Sequence, residues 1–196
     1  MIPASRPKAS RQTVEVAALR AWKAAGHKAE DFPATYVFAC RAYYEDSMGK
    51  PDQNDVGIYD DAIFIVTPTH FSAWNANTDP SRYGWNSGAG KFMARLKPGV
   101  WWFRRLKHKM RSPSGYMAFG QGSDVVTVER IRQDSTIAIT ESGCFGINLH
   151  RGGNTGTSSE GCQTIPPAQW PQFDKTLAKF IGTDRFRYIL AEGAIT

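Results

Sequence analysis

At 196 residues, with 41% hydrophobic and 12% aromatic content, the chain is long enough for one domain with a sizeable core, and its composition excludes a disordered tract. A formal charge of +6 and a pI of about 9.3 point to polyanionic surroundings: nucleic acid, anionic lipid or an anionic bacterial envelope. The three cysteines, Cys40, Cys144 and Cys162, are an odd set, which argues against a disulfide scaffold.

The first residues, Met1-Ile2-Pro3-Ala4-Ser5-Arg6-Pro7-Lys8, lack the apolar centre of a signal peptide. No run of about 18 apolar residues follows, so no membrane span is expected. Residues 10–25 read as a helix. Val14, Ala18, Ala21, Trp22 and Ala25 share one face, Ser10 caps the start and Gly26 ends it. Residues 1–34 are accordingly a helical segment packed on a domain that runs from 35 to 196.

From residue 35 the chain turns β-rich. Apolar runs bounded by turn residues lie at 36–40, 62–66, 99–103, 125–128, 136–139, 145–149 and 187–190. Long polar segments at 45–60 and 75–90 have the length of site-lining loops. After Pro166-Pro167, a helix is expected over about 168–181, with Trp170, Phe173, Leu177 and Phe180 as its apolar stripe. The expected fold is mainly β with a few helices (α+β), a sandwich or barrel with flanking helices. There is no internal repeat.

Chemistry concentrates in residues 147–165. A strand-like run ends on His150, a Gly/Ser/Thr/Asn loop follows, and the loop closes on Ser159-Glu160-Gly161-Cys162. A free thiol is mostly protonated at neutral pH, so a cysteine nucleophile needs a base, and His150 is the base on the same loop. Gly161 permits a sharp turn, and amides at Gly161-Cys162 are suited to a developing oxyanion. Ser158 and Ser159 can hydrogen-bond the loop or a substrate. Three other readings compete: an inert buried cysteine, a zinc site from Cys144, His150 and Cys162, and a Cys144–Cys162 disulfide. The zinc reading lacks any Cys-x-x-Cys or His-x-x-x-His pair. A phosphate loop is excluded, because Gly152-Gly153-Asn154-Thr155-Gly156 lacks the Gly-Lys-Ser/Thr ending.

The order His150, polar loop, Ser159-x-Gly161-Cys162 resembles the catalytic signature of the L,D-transpeptidases (YkuD-like domains). Tyr43-Tyr44, Gly57-Ile58-Tyr59-Asp60-Asp61 and residues 75–80, taken with 147–166, resemble a phage-associated, endolysin-like branch. The resemblance implies a β-rich L,D-transpeptidase-like domain without cofactor or metal. It makes Cys162 the nucleophile, His150 the base and Gly161 part of the catalytic turn, with Ser158, Ser159, Glu160, Gln163 and Arg151 against the substrate. The orienting group for His150 is expected to be a backbone carbonyl, Arg151 and Gly152 being nearest. The pattern departs in two places. Glu160 stands where many members carry a second His, and Gln163-Thr164 replaces an apolar residue and an Arg associated with the substrate's carboxylate. The His–Cys gap is also short.

The resemblance implies attack on the carbonyl of the third residue, a diamino acid, of a peptidoglycan stem peptide. Water as acceptor gives L,D-carboxypeptidase or endopeptidase action and wall lysis; an amine gives cross-linking. A non-catalytic wall-binding or virion module is the rival from another class. With no signal peptide, the protein is expected to be made soluble in a bacterial host's cytoplasm and to reach the periplasmic wall after release. Arg104, Arg105, Lys107, Lys109 and Arg111 form a basic run without an acid. It reads as a solvated loop or as an attraction to the anionic envelope; no nucleic-acid module accompanies it. His27, His70 and His108 read as surface or structural.

Overall fold

The computed structural model describes residues 2–86, 91–109, 112–181, 184–193 and 195. Helix α1 (Arg11–Ala24) begins where the Ser10 side chain accepts a hydrogen bond from the Thr13 amide at 3.1 Å. Gly26, at φ +85°, turns the chain out of it. A 3-10 turn at Ala29–Asp31 leads to β1 (Tyr36–Arg41), β2 (Asp61–Thr67), β3 (His70–Ala76), β4 (Trp85–Asn86), β5 (Lys91–Leu96) and β6 (Gly99–His108). Then come β7 (Tyr116–Gly120), β8 (Val126–Ile131), β9 (Ile137–Gly143), β10 (Asn148–Arg151), β11 (Gln163–Ile165), α2 (Trp170–Ile181) and β12 (Arg185–Glu192). The fold is mainly β with two α-helices among the described residues, as the density of short apolar runs implied.

Eight strands hydrogen-bond in the order β11-β10-β7-β6-β12-β1-β2-β3. The two ends of this sheet meet: Asn77, just past β3, exchanges backbone bonds of 2.8 and 2.7 Å with Thr164 of β11. The sheet is thus a nearly closed barrel. A second sheet, β4-β5-β8-β9, adds Ala94, Leu96, Val126 and Val128 to the same core.

Every residue of β1 is buried because the strand is covered on both faces. Val37 and Ala39 face the barrel core, while Tyr36, Phe38 and Cys40 pack with Val14, Ala18 and Trp22 of α1. Helix α2 buries Trp170, Phe173, Leu177 and Ile181 in the inner cluster. Ile181 takes the place expected for Phe180, which is half-buried and stacks on His70 at 4.7 Å.

Five strands were not anticipated: β3, β4, β5, β7 and β11. The basic run is a correction of another kind. Residues 104–108 are not a loop, because they pair with Tyr116–Gly120 and extend β6. Arg104 and Arg105 then point to opposite faces, to Asp124 (2.8 Å) and Asp174 (2.9 Å). Lys107 and Lys109 are exposed, and Arg111 lies outside the described residues. No helix among the described residues is long and apolar enough to cross a membrane.

Candidate active site

The loop after β10 is strapped down rather than free. Gly152 N–H donates to the Ile165 carbonyl at 2.9 Å, and the Tyr59 hydroxyl donates to the Gly153 carbonyl at 2.9 Å. Ser159 exchanges two bonds with Ser81: its amide donates to Ser81 Oγ (2.6 Å), and its carbonyl accepts from the Ser81 amide (2.7 Å). Thr157, fully buried, pairs its hydroxyl with that of Ser81 at 2.8 Å. The segment that receives the loop is itself held by Arg41, buried at the end of β1. Its guanidinium donates to the carbonyls of Thr78 (3.0 Å) and Leu96 (2.9 Å) and pairs with Asp79 at 3.2 Å. Asp61 accepts from the Ala42 and Thr78 amides beside it. Asp60 is buried next to them, and burial pushes its carboxyl up to about 7.

On this frame His150 and Cys162 line one cavity of about 430 Å³, with His108, Lys109, Tyr116, Arg151, Gly152, Ser158 and Glu160. His150 is buried on β10. Its Nδ1 lies 2.7 Å from the Arg151 carbonyl, one of the two carbonyls expected to orient it. A carbonyl only accepts, so Nδ1 carries the proton and Nε2 keeps the basic lone pair. The Tyr116 hydroxyl donates to the same carbonyl at 3.3 Å. Burial, then the neighbouring His108, lower the His150 pKa to about 4.

Cys162 is half-buried at the turn into β11, its thiol aimed at the Gly146 carbonyl at 3.6 Å. Burial pushes the thiol up to about 11; a backbone hydrogen bond from Asn148 opposes this and the charge of Glu160 adds to it. A second hollow of about 260 Å³, walled by Ala94, Arg130, Phe145, Gly146 and Ile147, shares Glu160, Gly161 and Cys162 with the first. The thiol thus stands between two recesses. A Cβ on Gly161 would stand 2.5 Å from the Ala94 carbonyl oxygen, so only glycine fits there.

No known family, curated protein or solved structure matches the chain.

Several expected site residues take other work. Gln163 is fully buried on β11: it donates to the Thr78 carbonyl (3.1 Å) and accepts from the Tyr188 hydroxyl (3.0 Å), so its side chain does not reach the cavity. The Ser159 hydroxyl, also buried, accepts from the Gly161 amide (3.0 Å) and donates to the Cys162 carbonyl. It shapes the turn and occupies the Gly161 N–H, which was expected to serve with the Cys162 amide. Ser158, Glu160 and Arg151 do line the cavity, Ser158 in the left-handed region at φ +55°. All three thiols are free. Cys144 points at the Ser123 carbonyl (3.3 Å) and lines neither recess, so the Cys144–His150–Cys162 zinc set is not assembled.

His108, read as surface or structural, belongs to the cavity. Its ring stacks on His150 at 4.2 Å and 15°, and Asn148 Nδ2 donates to its Nδ1 at 3.1 Å. Tyr116 went unread as well. Both come from the β6–β7 hairpin, about 40 residues from the motif, in a segment whose basic run reads as a loop.

Proposed function

We propose that the chain is a cysteine-dependent hydrolase of peptidoglycan stem peptides. The single observation that carries this is a cavity shared by Cys162 and a His150 whose Nδ1–H is held by the Arg151 carbonyl, which leaves Nε2 free to act as a base. The likeness of His150 and Ser159-x-Gly161-Cys162 to the L,D-transpeptidase signature supplies the substrate class. About 430 Å³ suits a short peptide segment.

With the thiol pushed up and the imidazole pushed down, the resting pair is Cys–SH and neutral His150 rather than thiolate and imidazolium. The proton therefore moves as sulfur attacks. Sγ bonds to the peptide carbonyl carbon, its proton passes to His150 Nε2, and negative charge builds on the carbonyl oxygen near the Cys162 amide. The C–N bond then breaks as His150 returns the proton to the leaving amine, and a thioester remains. Water, deprotonated by His150, cleaves the thioester and restores the thiol. The cation that the resemblance placed after the cysteine has moved: Thr164 is fully buried, while Arg151 and Lys109 stand at the cavity for a substrate carboxylate.

The second recess beside Cys162 favours one further reading, in which an amine held there intercepts the thioester and a cross-link forms. Mass spectrometry of purified muropeptides incubated with wild type and Cys162→Ala separates these outcomes. Hydrolysis gives loss of a terminal residue or splitting of dimers by wild type alone; new dimers mean transpeptidation. Binding to sacculi without turnover would make the chain a wall-binding module, and equal product from both proteins would remove Cys162 as nucleophile.

A further inference from the structure

The cations that matter outside the cavity are not the contiguous basic run but a set assembled across β6 and β12. The register pairs Arg187 with Trp102 and Arg185 with Arg104, and all four point to the outer face, the side that carries α1. The Arg187 guanidinium lies over the Trp102 ring at 3.6 Å and reaches Trp22 of α1 at 5.4 Å; Arg185 sits over Trp102 at 4.5 Å. One carboxylate, Asp124, serves both Arg104 (2.8 Å) and Arg185 (3.2 Å). The Arg187 guanidinium has no hydrogen bond or ion pair with a protein acceptor among the described residues, although the residue is half-buried beside a like charge.

Three guanidiniums share a single carboxylate that binds only two of them, which leaves this strip short of negative charge. A guanidinium stacked on indole keeps its N–H edge pointing outward, in a fork that fits an oxyanion. Arg185 and Arg187 are two residues apart on one strand face, a spacing of about 7 Å, which an extended polyol-phosphate repeat can match. The strip also leads somewhere. Trp102, Arg104, Leu106 and His108 alternate along the same face of β6, and His108 lines the Cys162 cavity about 20 Å from Trp102. A base-stacking polymer is a poorer fit, because the Trp102 ring is already occupied by two guanidiniums.

We propose that Arg185 and Arg187, arrayed on Trp102, form with the neighbouring Arg104 a docking strip for a phosphodiester-linked anionic wall polymer of the poly(glycerol phosphate) type. The strip seats the protein on the envelope with the Cys162 cavity alongside. The cavity's part in this rests on the proposed hydrolase; the binding does not, so the two fail separately.

The test is fluorescence anisotropy of end-labelled poly(glycerol phosphate) against the full chain at several salt concentrations. The Arg185→Gln/Arg187→Gln double variant should weaken binding about tenfold or more and flatten the log K against log salt slope by about 1.5 units, as loss of two phosphate contacts requires. Lys107→Gln, on the opposite face of β6, should change affinity less than about twofold. Asp124→Asn tests the strip without removing a stacked side chain: freeing two guanidiniums should tighten binding. Wild-type affinity in the double variant, no tightening in Asp124→Asn, or tighter binding of a thymidine oligonucleotide than of the polymer would each overturn the proposal. Muropeptide turnover unchanged in the double variant separates docking from chemistry.

Discussion

The raised thiol of Cys162 and the lowered basicity of His150 have a common origin in burial, and together they decide when a proton moves. A cysteine pulled down by an imidazolium reacts with electrophiles well below pH 8. A thiol held up to about 11 is less ionised at pH 7 than a free one, so its reactivity should climb with pH. In a Cys144→Ser background, which removes the exposed thiol, iodoacetamide should alkylate Cys162 about tenfold faster per pH unit above 7. A rate that levels off below pH 8 would mean a resting ion pair. At this scale the sequence made His150 and Cys162 readable because one loop joins them. His108 and Tyr116 were not readable, because they meet His150 only across strand pairings made far along the chain.

At the scale of elements, the loop that carries Cys162 inherits its shape from its neighbours. Arg41 fixes the segment holding Thr78 and Asp79; that segment runs on to Ser81, and Ser81 clamps Thr157 and Ser159. Replacing Arg41 with Met keeps the bulk but strands Asp79 and the Thr78 and Leu96 carbonyls in the interior. Breaking a buried pair from one side typically costs about 3–5 kcal/mol. Urea unfolding of Arg41→Met should show a loss of that order, with muropeptide turnover lost under conditions where the variant remains folded. A cost below about 1 kcal/mol would mean the network does not hold the loop. Strands covered on both faces, such as β1 and β2, were legible as unbroken apolar runs. By contrast, β11 is Gln163-Thr164-Ile165, polar by composition, and becomes a buried strand only because β3 and β10 flank it. The same placement explains why Gln163 hydrogen-bonds inward instead of meeting a substrate.

Across the whole molecule, near-closure of the barrel at Asn77 and Thr164 brings the β3 end, the strapped loop and the β6–β7 hairpin around one thiol. The fold class was visible from the frequency of short strands and two amphipathic helices. The closure was not, since it depends on two backbone bonds between residues 87 positions apart (164 minus 77). Charge follows the same logic: the +6 excess is visible in composition, yet its outward display depends on cross-strand register that a linear run of Arg and Lys does not reveal.

The central claim is that Cys162 becomes covalently acylated. Intact-protein mass spectrometry after acid quenching of a muropeptide incubation tests it most directly. Acylation predicts an adduct equal to the acyl fragment, mapped to the peptide containing Cys162, absent in Cys162→Ala and strongly reduced in His150→Gln. Turnover by wild type with no adduct at any quench time, together with undiminished turnover by Cys162→Ala, would contradict it.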